Sequence, residues 1–304
     1  MCRGEFPVCR PCSADLALPK RLREGAAGRH HAIKINFIMM KKRSFLFILL
    51  IAGVVFSCSI VPFTGRKQLS LVPESEMIAM GLVSYQEFMK ENPASPDKIN
   101  SKIVKEVGTR LSTAVEFYFA ANNLGARLDG YNWEYSLVES TVPNAFCIPG
   151  GKVVIYSGIL PYTVDKNGLA VVISHEIAHA IARHGGEIMS QQLLLQFGGI
   201  ALGEAVKSKP VETKNIYNAI YGIGSEVGVL LPYSREFEYE ADKLGLIFMA
   251  LAGYDPQGAV IFWDRMSKIG GNKTLEFLST HPTDAKRISK IKAAMPEVMQ
   301  YYKK

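Results

Sequence analysis

The chain has 304 residues, 35 basic and 28 acidic, of which 48% are apolar and 21% charged, a balance that excludes a disordered, collagenous or coiled-coil protein. The whole formal charge of +7 lies between Met1 and Ser57, where 10 Lys or Arg stand against 3 Asp or Glu; the other 247 residues hold 25 of each sign. The body is neutral, so the pI near 9.0 is no sign of nucleic acid, and a body of this length buries a sizeable core, most simply as one domain.

Residues 1–40 are Arg-rich and irregular. They precede a signal sequence that would be complete from Met39 or Met40, and so read as an over-extended start; a mitochondrial presequence is the competing reading. Lys41-Lys42-Arg43, the apolar run Phe45 to Phe56 and the closing Val55-Phe56-Ser57-Cys58 describe a secretory signal over 41–57. Val-Phe-Ser-Cys resembles a bacterial lipobox, which makes Cys58 the lipid-bearing first residue of the mature protein. A single-pass anchor is the alternative, although the run is short for the roughly 20 residues a span requires. Cys2, Cys9 and Cys12 lack the further ligand a zinc site needs, and the body is expected to have no disulfide.

Residues 58–72, with Pro62 and Gly65, read as a tether to a domain over 73–304. Helices are expected over Glu74 to Lys90 and Pro96 to Asn123. Tyr131 to Val138, Asn144 to Ile148 and Lys152 to Tyr156 read as strands of a small sheet. From Asn167 the chain is helical: Gly168 to Arg183, Ser190 to Val206, Asn215 to Leu230, Ser234 to Ala252, Pro256 to Lys268 and Pro282 to Met295. Gln196, Glu204, Asn218 and Glu226 interrupt the second and third of these, so they read as core helices; a mobile cover or a lipid-facing surface is the alternative. The fold class is α+β, mainly helical.

The chemistry concentrates in Ser174-His175-Glu176-Ile177-Ala178-His179. Four residues advance a helix by about 400°, so His175 and His179 project from one side and can share one zinc ion. Glu176 lies about 100° from His175, within reach of a water on the metal, and suits a general base. Ala182 and Gly185 stand where a metzincin has Gly and His, which excludes that class. His184 is expected to point away from the ligand face as a polar helix end.

A third ligand is expected from Ser234 to Asp242. Phe237, Ala241, Leu244 and Phe248 form the buried stripe; Glu236, Glu240 and Lys243 fall on a solvated flank, and Glu238 and Asp242 on the other. Two acids at i and i+4 repel unless something cationic lies between them, so Glu238 is assigned to zinc and Asp242 to the N–H of a ligand histidine. Arg235 is the competing partner for Glu238.

In Ser279-Thr280-His281-Pro282, His281 reads as a helix-start residue ahead of Pro at the first helical position. Two functional readings compete with that: His281 or Arg287 as a donor to the oxyanion of the tetrahedral intermediate, or His281 in zinc's open position as a lock.

These residues resemble the family forty-eight zinc metallopeptidases, the group containing CAAX prenyl proteases, HtpX-like proteases and the Oma-type mitochondrial protease. The resemblance rests on Pro62 to Lys67, Pro143 to Phe146 with Pro149 to Gly151, the His175 to His179 helix, Leu231 to Arg235 leading into Glu238 and Asp242, Ser279 to Pro282, and Arg287-Ile288. It implies a zincin-type domain with a small sheet beside the His-Glu-x-x-His helix, one zinc per chain, Glu238 as third ligand, and the periplasmic lipoprotein branch. Asn144, Ala145 and Phe146 resemble the family's edge strand, against which an extended substrate pairs; a protected edge is the plainer alternative. Cys147 is expected to be a buried apolar side chain. The expected function is a metalloendopeptidase held to the membrane by its lipid, facing the periplasm at the outer membrane more than the inner, and cleaving unfolded or misassembled envelope proteins. A chaperone-like protein with structural zinc and an organellar Oma-type protease are the rivals.

Overall fold

The computed structural model describes residues 58–197, 210–221, 234–269, 277, 281 and 285–303. All belong to one compact unit, Ser57–Lys304. The expected start region and signal run, 1–57, lie outside the described residues, as do the far ends of the helices expected to reach Val206 and Leu230.

Two short strands open the fold: β1 (Cys58–Ile60) pairs antiparallel with β2 (Lys67–Leu69), Cys58 opposite Leu69. Residues 58–72 are therefore not a loose tether. Val61, Gln68 and Val72 are buried, and the turn between the strands packs Phe63 against Tyr118, Phe119 and Phe248. Helices α1 (Glu74–Glu91) and α2 (Lys98–Ala121) follow close to their expected bounds. Asp97 caps α2 by accepting from the N–H groups of Ile99 and Asn100.

Strands β3 (Glu134–Val138), β4 (Ala145–Ile148) and β5 (Lys152–Tyr156) form a sheet in the order β3-β5-β4, with β3 parallel and β4 antiparallel to β5. Side chains alternate between two hydrophobic cores: Leu137, Ala145, Cys147, Val153 and Ile155 enter one, and Val138, Phe146, Ile148 and Val154 the other. Burial on both faces explains why β4 and β5 read as continuous apolar runs.

The first core is formed with α2, α3 (Lys166–Ile181), α6 (Arg235–Leu251), α7 (Gly258–Ile269) and α8 (Ala285–Val298); the second with α1, α4 (His184–Phe197) and α5 (Pro210–Tyr221). Helix α3 is central, buried at every position from Gly168 to Ile181. Asp165 caps its start, accepting from Gly168 N at 2.7 Å. At the other end, remote side chains bond the last carbonyls: Tyr131 Oη donates to Ala180, which also accepts from Arg183 N; Arg127 Nη2 donates to Ile181 and Gln68 Nε2 to Ala182. Helix α6 crosses α3 closely, because a Cβ on Gly245 would stand 3.1 Å from His175 N and 3.2 Å from Ser174 C and O.

Candidate metal centre

Helix α3 presents His175 and His179 on one side, α6 presents Glu238, and His281 enters ahead of α8. One donor atom from each of the four falls within 4.8 Å of all the others, and all four residues are buried. His175 Nε2 lies 3.1 Å from His179 Nε2 and 3.4 Å from Glu238 Oε2, while His179 Nε2 lies 3.3 Å from Glu238 Oε1. His281 Nδ1 completes the set, 3.2 Å from His175 Nε2 and 3.0 Å from Glu238 Oε1. Zinc bonded tetrahedrally at 2.0–2.1 Å makes ligand-to-ligand edges of about 3.3 Å, so these separations match one ion.

Charge points the same way. Three buried carboxylates, Glu176, Glu238 and Asp242, face a single buried guanidinium, Arg287. Unbalanced charge in such a site is costly, and with the three imidazoles neutral, as metal ligation requires, a doubly charged cation closes the deficit. Glu238 Oε2 is buried without a hydrogen-bond donor in bonding geometry. The residues present therefore fit zinc.

Asp242 lies behind His175, its Oδ1 3.1 Å from Nδ1, in the arrangement that fixes a ligand tautomer. Arg287 Nε donates to Asp242 Oδ2 at 2.7 Å and Nη2 to Oδ1 at 2.8 Å, with Nη1 2.9 Å from Glu238 Oε2. The expected oxyanion role for Arg287 does not suit this position: its guanidinium is engaged by two acids and lies 3.4 Å from the centroid of the Trp263 ring. The cation paired with Glu238 is Arg287, while Arg235 is exposed. Burial would raise the Glu238 carboxyl, but the charges of His281 and Arg287 hold it well below the usual range.

Glu176 has no such support. Burial pushes its carboxyl up against the lowering charges of His281 and His175, and its Oε1, 3.4 Å from His281 Nε2, is buried without a hydrogen-bond partner. A carboxylate left free beside a metal cluster, with a raised pKa, can take and return a proton.

His281 uses both ring nitrogens here, Nδ1 toward the ligand set and Nε2 toward Glu176, which is more than a helix-start residue requires. Phe277, one turn earlier, stacks on Trp263 and donates its N–H to Pro143 O at 3.2 Å. That carbonyl lies on the outer edge of β4. Tyr156 N bonds Asn144 O, so the even positions of β4 face β5 and the odd ones, Pro143, Ala145 and Cys147, face outward. Asn144, Ala145 and Phe146 are thus buried beside the site, and the backbone groups that face outward are those of Ala145, whose N–H is held by its neighbour's side chain, and Cys147, rather than Asn144 and Phe146. Asn144 Oδ1 accepts from Ala145 N. Cys147 is buried and free of disulfide.

Two residues depart from the expected placement. His184 is fully buried with its Nδ1 2.9 Å from His179 Nδ1, because Arg183 at φ +58° ends α3 and turns the chain back. Angular counting along a continuous helix does not survive that break. Glu240 is buried rather than solvated: His184 Nε2 lies 2.9 Å from its Oε2, Arg66 Nε donates to the same oxygen at 2.8 Å, and Thr64 Oγ1 donates to Oε1. Burial alone would raise Glu240, yet the hydrogen bonds from His184, Thr64 and Arg66 hold it at about 2. Trp263 and Phe277, which shape the wall around Arg287 and His281, carry no sequence signal beyond being apolar. His184 does, as a third histidine five residues past the pair.

Residues 109–295 match peptidase family M48. The chain is 39% identical over 170 residues to the mitochondrial metalloendopeptidase OMA1 of Schizosaccharomyces pombe, covering 54% of this chain and 47% of that protein. It is 30% identical over 250 residues to the human mitochondrial metalloendopeptidase OMA1, covering 79% and 46%. It is 26% identical over 246 residues to the beta-barrel assembly-enhancing protease of Yersinia pestis, covering 78% and 47%. The chain spans about half the length of these relatives. The match takes in both ligand-bearing helices and most of α8, and the chain belongs to peptidase family M48.

Proposed function

We propose that the chain is a zinc metalloendopeptidase that hydrolyses extended, unfolded or misassembled proteins of a bacterial cell envelope, tethered there through a lipid on Cys58. The observation that carries the catalytic part is Glu176, a buried carboxylate beside the ligand cluster with an oxygen left without a hydrogen bond. A chaperone-like protein with a structural metal has no use for it.

His175, His179 and Glu238 would hold the zinc, which supplies the Lewis acidity that makes water nucleophilic near neutral pH. Asp242 holds the His175 ring, and Arg287 holds Asp242. Glu176 takes the proton from the attacking water and delivers it to the leaving amine. An extended substrate lies along the outer edge of β4 and bonds the backbone of Ala145 and Cys147. His281 stands at the fourth ligand corner and Phe277 bonds the Pro143 carbonyl, which supports reading the arrangement as a latent one. Substrate would gain access once His281 and Phe277 leave these positions.

Zinc content of the purified chain and its cleavage of casein, with and without a chelator, test the reading. Glu176→Gln is expected to keep zinc and fold while losing roughly 10²- to 10⁴-fold in hydrolysis. Activity within a few-fold of the parent refutes the assignment. The setting is tested separately: Cys58→Ala is expected to release the protein from membranes, and intact mass with an unmodified Cys58 refutes the lipid. The relatives named OMA1 support a mitochondrial setting as the second reading. No described helix is long and apolar enough to cross a membrane.

A further inference from the structure

The ligand set leaves a second line of polar groups unexplained, on the far side of His179. The ring turns Nε2 to the metal cluster and Nδ1 to His184 Nδ1, 2.9 Å away. Behind His184 stands Glu240, and behind Glu240 stand Thr64 and Arg66, in the turn between β1 and β2. Arg66 Nη1 also donates to Glu187 at 2.9 Å, and Gln68 Nε2 donates to Ala182 O at 2.9 Å. The hairpin therefore grips both sides of the break between α3 and α4, one turn beyond His179.

We propose that the turn Thr64-Gly65-Arg66 is a positioning element of the metal centre, fixing the ring of His179 through Glu240 and His184. The proposal rests on the zinc reading above. With Nε2 bound to metal, Nδ1 of His179 must carry the ring's hydrogen and donate it to His184 Nδ1. His184 is then protonated on Nε2 and donates to Glu240, whose oxygens accept from Thr64 and Arg66 as well. Each polar contact in this chain has one direction, so the order of donors is fixed from the turn to the ligand. His175 has its carboxylate, Asp242, in direct contact; His179 reaches its carboxylate through an intervening imidazole.

The turn is built to hold one shape. Phe63 takes φ +66°, a left-handed conformation that is unfavourable for a non-glycine residue, and three aromatic rings fix its side chain. Val61 N bonds Arg66 O at 2.9 Å and Gly65 N bonds Val61 O at 3.0 Å, closing the loop.

The test uses the full chain and reads metal binding, not hydrolysis. Zinc affinity is measured by competition with a chromophoric chelator, and ligand geometry by the visible absorption of the Co²⁺-substituted protein. Glu240→Gln and Arg66→Met are each expected to weaken zinc binding by roughly 10- to 100-fold and to shift the Co²⁺ bands. Arg66→Lys, which keeps a cation beside Glu240, is expected to restore most of the loss. Thr64→Val, a small change at a partly exposed position, is expected to show the same shift in weaker form. Zinc affinity and Co²⁺ spectra within twofold and unshifted in Glu240→Gln and Arg66→Met overturn the proposal. So does a loss of affinity that tracks only the melting temperature of the metal-free variants, with no spectral change. A parent chain that binds no stoichiometric zinc overturns the metallopeptidase reading itself.

Discussion

The crossing of α3 and α6 at Gly245 sets the distance between the ligands those helices carry, and Gly245→Ala tests this directly. The added methyl would meet three backbone atoms of Ser174 and His175 at 3.1 to 3.2 Å, and backbone cannot swing aside as a side-chain tip can. Ordinary carbon contacts begin near 3.5 Å, so α6 must back off by about 0.3 Å or more. Metal sites tolerate roughly 0.2 Å in their ligand distances, and Glu238 lies two turns from Gly245 on the same helix. The stability effect is smaller than it first looks. Alanine gains roughly 1 kcal/mol of helix propensity over glycine, while overpacking costs about 1 to 3 kcal/mol, leaving the metal-free protein within about 2 kcal/mol of the parent. Zinc affinity is expected to fall tenfold or more, which is about 1.4 kcal/mol. Urea unfolding of the metal-free protein and chelator competition separate the two quantities. An unchanged zinc affinity refutes the claim that the crossing sets ligand geometry.

His281→Ala is expected to retain zinc and raise basal casein hydrolysis severalfold; a fall in hydrolysis with zinc retained assigns the residue to the transition state instead. Arg287→Met leaves Asp242 and Glu238 buried without their cation and is expected to cost about 3 to 5 kcal/mol in urea unfolding, a loss under about 1 kcal/mol being the refuting result. Glu240 ionises at about 2 when folded and near 4.5 when unfolded, so its contribution is present above pH 4.5 and lost as pH falls toward 2. With Arg66 28% exposed, that contribution is discounted to about 1 to 2 kcal/mol. Stability of the metal-free parent is therefore expected to drop more than that of Glu240→Gln over this range, and parallel curves refute it.

His175, Glu176 and His179 were legible because their chemistry depends on helix spacing, which is local. The spacing also places Glu238 and Asp242 together as an acid pair needing a cation between them, but it does not announce Arg287, which bridges the two beside His175. Glu240 was misplaced because Lys243 suggested a solvated flank, whereas Lys243 pairs with Glu297 and the hairpin turn covers Glu240. The hairpin itself was hidden: Pro62 and Gly65 mark a linker as well as they mark a turn, and only pairing with β2 and contact with α3 distinguish the two. The order β3-β5-β4 likewise comes from contacts distant in sequence. His184 escaped through a single residue, Arg183, whose left-handed backbone no composition or periodicity announces.

If an extended substrate pairs with the outer edge of β4 as proposed, the bond from Phe277 to the Pro143 carbonyl would set a length threshold for what can be cut. A peptide that reaches only Ala145 and Cys147 gains their hydrogen bonds while the chain's own segment still holds Pro143. A peptide two residues longer would compete with Phe277 for that carbonyl as well. Short oligopeptides should therefore be poor substrates even when their bond to be cleaved is ideal, and turnover should rise steeply once a substrate spans the full outer edge. On the proposed reading, β4 would act in this way as a ruler, selecting long unfolded chains by reach rather than by the identity of any side chain.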